Sequence, residues 1–430
     1  MGCFLSQPVE LIRVQRGGCT AFRYAAAEMQ GWRTHHEDSH SATCDGSFGS
    51  FWVLDGHGGA GASAFAAPRL SREFMGCPTP GGTLLRNGDI AEVFESLDRR
   101  FKDHVRDNPQ EDSGSTVVGA LVAKGLDGNY TAKLVNCGDS RGVLVRAPTE
   151  DEADAAEDLS SPRPSPRKGV QVILPSPVAA AGDAPEKLWP IIVESVDHKP
   201  NHPVEKARIE AAGGYVLACE DPPRLDGNLA VSRGMGDFEY KVNETLSASQ
   251  QKVSCIPDIY EVSGIRPGSI LVLACDGIWD VMSSQEAAIF VRDKLVEDPK
   301  SDLGDIAGDL LKSCLGKGSR DNMTVMLIHL DDGSDVADKF PSDEMKNGEK
   351  LLDIVEEDVM KHYRVFLDRE PAFPREVRAC AVCGRWFANP NRCPCKAVTY
   401  CSKHCQKKGW KEHKLVCTAA SKPEVTESPK

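Results

Sequence analysis

Seven of the sixteen cysteines in this 430-residue chain fall between Cys380 and Cys417; the other nine are scattered singly from Cys3 to Cys314. That asymmetry constrains the fold more than any other feature. A disulfide scaffold is normally short and secreted. This chain is long, and it opens without the apolar core and small-residue cleavage site of a secretory signal. The scattered cysteines read as small buried apolar residues, and the cluster needs its own explanation. Its ligand-bearing positions are Cys380, Cys383, Cys393, Cys395, Cys401, Cys405, His413 and Cys417. Seven thiols and one imidazole suffice for two tetrahedral zinc sites. So short a segment, with few large apolar residues, cannot build a core unaided, and zinc is expected to drive its folding.

The rest of the chain has a different character. Hydrophobic residues make up 40% and charged residues 27%, which supports a packed core and excludes wholesale disorder. The longest apolar run is about six residues, Ile270 to Cys275, far short of the roughly 20 needed to span a bilayer. The net charge of −13 argues against a general nucleic-acid binder. It is also unevenly distributed, since residues 378–417 carry about +8 and the remainder about −21.

Composition divides the chain into a leader (1–18), a large region (19–330), a linker with an amphipathic helix (331–377), the Cys-rich module (378–417) and a tail (418–430). Within the large region, residues 147–188 are rich in Pro, Ala, Ser and acids and read as a mobile surface insert. Strands are expected at Ser50–Leu54, Val117–Val122, Tyr130–Val135, Gly142–Arg146 and Ser269–Ala274. Helices are expected at Ala60–Phe74, Ile90–Asp107, Pro203–Ala212, Ser284–Glu297 and Leu303–Leu315. Several strands follow one another directly, which favours an α+β fold with antiparallel sheets.

Five acidic segments share one local form, a carboxylate closing an apolar run beside a turn residue. They are Glu37-Asp38, Asp55-Gly56-His57, Asp139 in NCGDSR, Asp276 with Asp280 in LACDGIWD, and Asp321 in GSRDNMT. A carboxylate just after a buried strand is held rigidly at a sheet end. Several such ends converging make a site of hard oxygen ligands suited to Mg²⁺ or Mn²⁺. A lone Asp-Gly is most simply a β-turn; the joint occurrence is what carries weight.

With Gly31-Trp32-Arg33 and the SGST run (Ser113 to Thr116), these segments resemble the metal-dependent Ser/Thr protein phosphatases of type 2C. The matching runs, in order, include MQGWRTHHEDSH, FWVLDGHGG, DSGSTVVGAL, VNCGDSRGVLVR, GNLAVSRGMGDFEYK, LVLACDGIWDVM and GSRDNMTVMLI. The resemblance implies a two-sheet antiparallel β-sandwich flanked by helices, with a two-metal site at one edge. By the same resemblance, Asp55 bridges both ions, Asp276 and Asp321 complete the first, and Glu37 with the Gly56 carbonyl holds the second. Asp38 orients a water, and a third, weaker ion lies near Asp139, Asp276 and Asp280. Arg33 grips the substrate phosphate, a role suited to a guanidinium fork. His57 is the candidate donor of a proton to the leaving alkoxide. The SGST run is expected to support the site through its backbone. One departure stands beside a ligand: His36 occupies the position before Glu37 where the family commonly has Met.

The run CKAVTYCSKHCQKKGWKEHKLVC resembles the MYND zinc finger, whose two sites interleave. That resemblance implies one zinc on Cys380, Cys383, Cys401 and Cys405 and another on Cys393, Cys395, His413 and Cys417. It also implies a protein partner, with a proline-rich peptide as the favoured kind, and the phosphatase resemblance implies a phosphoprotein substrate. Finally, Met1-Gly2-Cys3-Phe4-Leu5-Ser6 fits an N-myristoylation pattern at Gly2, with Cys3 open to palmitoylation. The expected location is cytoplasmic, with membrane anchoring through those acyl chains.

Overall fold

The computed structural model describes residues 4–75, 84–148, 170–175, 190–218, 222–347, 357–368, 378–387 and 391–418. Two antiparallel sheets pack face to face. The strands are β1 (Phe4–Gly18), β2 (Arg23–Arg33), β3 (Ser39–Asp45), β4 (Phe48–Leu54), β5 (Val117–Lys124), β6 (Tyr130–Cys137) and β7 (Arg141–Val145). They continue with β8 (Gln171–Ile173), β9 (Ile191–Glu194), β10 (Asp258–Ile265), β11 (Ile270–Ala274), β12 (Met323–His329) and β13 (Asp343–Lys346). One sheet runs β9-β7-β11-β12-β2-β1-β13 and the other β8-β10-β6-β5-β4-β3.

The central strands are largely apolar because both of their faces are covered. In β12 every residue is buried. Met326 and Ile328 point between the sheets against Phe51, Val118, Leu134 and Leu273. Val325 and Leu327 point the other way, against α4 (Ser284–Glu297) and α5 (Leu303–Gly316). On the outer face of the second sheet, α1 (Gly61–Met75) and α2 (Asn87–Asp107) cover Trp52, Leu54 and Val135. The result is four layers, helix on sheet on sheet on helix.

The expected strands and helices of the large region are all present, with ends shifted by up to three residues. Three boundaries need correction. The expected leader is mostly strand: β1 pairs with β2 and β13, and Val9, Leu11, Ile12 and Val14 are buried. The polar start of the expected linker holds β13, with Met345 buried. β13 is an edge strand whose partner lies more than 300 residues away, and the register shifts of β1 between Phe4 and Ile12 interrupt its alternation, so local periodicity reveals neither. Part of the expected mobile insert is also ordered. Gln171–Ile173 pairs with β10, and Val170, Val172 and Leu174 pack against the core between the sheets. Residues 149–169 and 176–188 of that insert, with Gly2 and Cys3, lie outside the described residues.

The expected amphipathic helix runs over α6 (Glu357–Asp368) and packs on β1; residues 348–356 lie outside the described residues. Beyond it, two short hairpins and α7 (Lys403–His413) form the Cys-rich module.

Candidate metal centre and zinc module

The carboxylates singled out from the sequence converge at one end of the sandwich, drawn from both sheets. Asp55 follows β4, Asp276 follows β11 and opens a single helical turn, Asp321 precedes β12, and Glu37 with Asp38 bridges β2 to β3. Asp139 lies in the turn between β6 and β7. A carboxylate oxygen of Asp38, one of Asp55 and the Cys275 Sγ all lie within 4.8 Å of one another. The Asp38 carboxylate is buried and accepts from the Thr324 hydroxyl at 2.6 Å.

The backbone around Glu37 is clamped from two sides. Its N–H donates to the Asn322 side-chain oxygen at 2.8 Å, and the Asn322 amide in turn donates to the carbonyls of Gln30 and His35 at 2.9 Å. Its carbonyl accepts from the Ser63 hydroxyl. Gly56 fits against that same carbonyl, since a Cβ there would lie 2.4 Å from the oxygen. Only glycine lets the Asp55 strand end approach this closely.

So many closely set carboxylates, Asp38 and Asp139 among them buried, disfavour one another's ionisation. Burial first, then the charges of Asp276, Asp38, Asp321 and Asp139, hold Asp55 well above the usual carboxylate range. Burial, then Asp139, Asp321 and Asp280, does the same to Asp276. Asp280 is raised as well, chiefly by burial. A constellation of hard oxygen donors in this condition fits divalent cations, whose charge would offset the repulsion.

Two groups expected to act at the site have partners that sequence reasoning missed. The His57 Nε2 faces both Asp237 carboxylate oxygens, at 2.9 and 3.0 Å. Burial works to lower the His57 pKa, but the Asp237 charge and hydrogen bond outweigh it and raise it. Asp237 adopts a left-handed backbone (φ 53°) beside Gly236 (φ 75°), and its segment sits on the SGST run, where Met235–Gly236 pairs with Gly114–Ser115. The Gly56–His57 pair lies on the other side of the same two residues. Gly114 therefore sits directly beneath the His57–Asp237 contact. A Cβ there would fall 2.1 Å from His57 Nε2 and 2.3 Å from each Asp237 oxygen. Asp139, expected near a third ion, is paired with Lys199. Both Asp237 and Lys199 stand in turn-rich runs, and an acid or lysine there carries no periodic signal.

Arg33 is found at the rim, its side chain 37% exposed, paired with Asp321. Burial works to lower its pKa, and the charges of Asp321, Asp55 and Asp276 more than compensate.

In the Cys-rich module the two ligand sets are gathered as expected, each with its donor atoms within 4.8 Å of one another. Cys383 and Cys401 sulfurs lie 3.5 Å apart, Cys401 and Cys405 3.6 Å. In the other set, Cys393 and Cys417 are 3.4 Å apart, and Cys395 lies 3.2 Å from His413 Nε2. Ligands about 2.3 Å from a tetrahedral zinc stand at about such separations from one another. The short Cys393-x-Cys395 spacing is absorbed by a turn with Lys396 at φ 62°. Ser402 caps α7, accepting from the Cys405 N–H at 3.3 Å, so the helix presents Cys405 at its first turn and His413 at its last. Burial opposes ionisation of Cys380, yet backbone N–H groups around Cys383, Cys401 and Val382 hold its thiol down to about 7. That favours the thiolate a metal needs.

The family model of protein phosphatase 2C matches residues 22–158 and 191–323, and that of the MYND finger matches residues 380–417. The chain is 31% identical to mouse protein phosphatase 1B over 381 residues, covering 84% of each chain. It is 32% identical to human protein phosphatase 1A over 346 residues, covering 76% of each. Against bovine protein phosphatase 1B the identity is 32% over 361 residues, and the chain spans 63% of that relative's length. Among solved structures, a Toxoplasma gondii phosphatase superposes with a TM-score of 0.57 at 22% identity, covering 74% of this chain and 95% of the other. A Caenorhabditis elegans sex determining protein gives 0.52 at 21% identity, covering 74% and 67%. At these identities the two structures speak for the fold alone. The chain belongs to the protein phosphatase 2C family, a family of metal-dependent serine/threonine protein phosphatases, and carries a C-terminal MYND finger.

Proposed function

We propose that this chain hydrolyses phosphoserine and phosphothreonine in protein substrates, using two Mg²⁺ or Mn²⁺ ions. The convergence of carboxylates from four strand ends supports this reading above all. Asp55 would bridge both ions, Asp276 and Asp321 would complete one, and Glu37 with the Gly56 carbonyl the other. Asp280, together with Asp139, would serve a weaker third. When bound, the ions supply the positive charge that lets an anionic phosphoester accept a nucleophile, and they acidify a water for attack.

The chain's own groups do the rest. Asp38, fixed by Thr324, is placed to orient the attacking water. Arg33 stands at the solvent rim, where a substrate phosphate competes with Asp321 for its guanidinium. His57, held by Asp237 with its pKa raised, keeps the proton that the serine or threonine alkoxide needs on leaving.

The finger, folded on two zinc ions, would recruit a protein partner, with a proline-rich peptide favoured over nucleic acid. Acylation at Gly2 and Cys3 would add membrane anchoring to a cytoplasmic enzyme. The reading is tested by hydrolysis of a phosphoserine peptide with Mn²⁺ or Mg²⁺, with and without EDTA, for wild type and Asp55→Asn. Metal-dependent turnover that the variant loses is expected; turnover without metal, or an unimpaired variant, would refute it.

A further inference from the structure

We propose that α6 and the zinc finger form an intramolecular brace for Glu37, with Phe366 as its positioning residue and Arg385 as its anchor. The proposal rests on the reading of Glu37 as a ligand of Mg²⁺ or Mn²⁺ and adds a role for the C-terminal module in building that site.

The inner end of the brace is His36, adjacent to Glu37 in the chain. Its ring is buried. On one side His36 Nε2 lies 3.6 Å from the Glu28 carboxylate, which also takes His40 at 3.2 Å and Arg13 at 3.4 Å. Against another side stands Phe366, its ring edge-on at 5.4 Å between centroids and 62° between planes. Phe366 is itself buried, in a cluster with Val9, Leu11, Met345 and Tyr363. That packing fixes α6 on β1. The His36 side chain thus ties the ligand segment to a helix more than 300 residues away in sequence.

The outer end is the finger. Trp386 packs against the same apolar cluster. The Arg385 guanidinium reaches across to the phosphatase domain. It donates to Asp302 at 2.8 Å and Glu344 at 3.0 Å through Nη1, and to Asp305 at 2.8 Å through Nη2. The same three acids take Arg16 and Lys346, so three cations balance three carboxylates. Asp302 and Glu344 are almost wholly buried, and a buried carboxylate short of its cation is strongly disfavoured. The position of Arg385 depends on the first zinc loop. It lies two residues beyond Cys383, and its carbonyl accepts from the Cys380 N–H at 2.8 Å. Zinc therefore fixes Arg385, Arg385 and Trp386 fix the finger against the domain, and α6 with Phe366 backs the segment that carries Glu37.

The test uses the full chain, with Mn²⁺ affinity measured by titration calorimetry, zinc content by mass spectrometry, and hydrogen exchange across residues 34–38 and 357–368. Phe366→Ala should keep both zinc ions, bind Mn²⁺ several-fold more weakly and exchange faster at 34–38; Phe366→Leu should restore most of the affinity. Arg385→Ala should keep its zinc, exchange faster across 357–368 and show the same weakening. Wild-type Mn²⁺ affinity in Phe366→Ala, or unchanged protection of 357–368 in Arg385→Ala, overturns the brace. If Phe366→Ala does not fold, Arg385→Ala and Phe366→Leu decide: Arg385→Ala that binds Mn²⁺ like wild type overturns the brace. A wild type that binds no Mn²⁺ refutes the phosphatase reading itself, and the two failures are thereby told apart.

Discussion

Replacing Gly114 by alanine adds one methyl group at a point where the structure has no room for it. The new Cβ would sit 2.1 Å from His57 Nε2 and 2.3 Å from both Asp237 oxygens. Ordinary van der Waals contact begins about 1 Å farther out. The backbone of Gly114 is paired on both sides, with His57 and with Gly236, so the strand cannot withdraw. The His57 and Asp237 side chains must part instead. Their contacts of 2.9 and 3.0 Å would then open to ~4 Å, beyond hydrogen-bonding range. The imidazole loses both its orientation and the charge that raises its pKa. A positioned general acid contributes typically ~10²–10⁴-fold, so kcat should fall by about two orders of magnitude or more on a phosphothreonine peptide. An activated aryl phosphate, whose leaving group needs no proton, should lose far less. Overpacking costs ~1–3 kcal/mol, so the variant should fold and bind Mn²⁺. A kcat within three-fold of wild type on the peptide, or equal losses on both substrates, would refute the assignment of His57 as proton donor.

Asp237→Asn probes the same pair by charge alone. Removing the carboxylate lowers the His57 pKa, the imidazolium is lost at lower pH, and the alkaline limb of kcat/KM should move acidward while the acid limb stays. Asp55→Asn should have opposite effects on activity and on metal-free stability. The Asp55 pKa is raised in the folded state, so its contribution to stability is present below the unfolded pKa and is lost as pH rises through the folded one. At neutral pH, after EDTA treatment, the variant should melt higher than equally treated wild type, with the gap closing as pH falls. Calorimetry at two pH values checks this. Gly2→Ala should move the protein from the membrane to the soluble fraction; a wild type already wholly soluble would end the acylation proposal.

The candidate metal centre was legible in the sequence because its carboxylates stand at strand ends, each next to the apolar run that positions it. Taken singly, Asp55, Asp276 and Asp321 look like ordinary turn acids; their joint occurrence marks them, and their convergence follows from antiparallel packing. The eight candidate zinc ligands were legible as a cluster because they crowd into one short segment, and their division into two sets is what the resemblance to the MYND finger implies. Asp237, Lys199 and Asn322 were not singled out. Each acts through a partner at least 60 residues away, His57, Asp139 and the Glu37 backbone respectively, and nothing in its own neighbourhood marks it.

The same division holds for the whole chain. Residue type and short-range order were enough for the alternation of strands and helices and for the clustering of the candidate metal ligands, and resemblance to two families implied the chemistry. The fold alone shows that Phe4–Gly18 forms a strand within the sheet, that Gly114 leaves room for a charged pair, and that the finger rests on the phosphatase domain through Arg385. Those outcomes depend on which distant surfaces meet, and the free energy of such contacts resides in neither partner's local sequence.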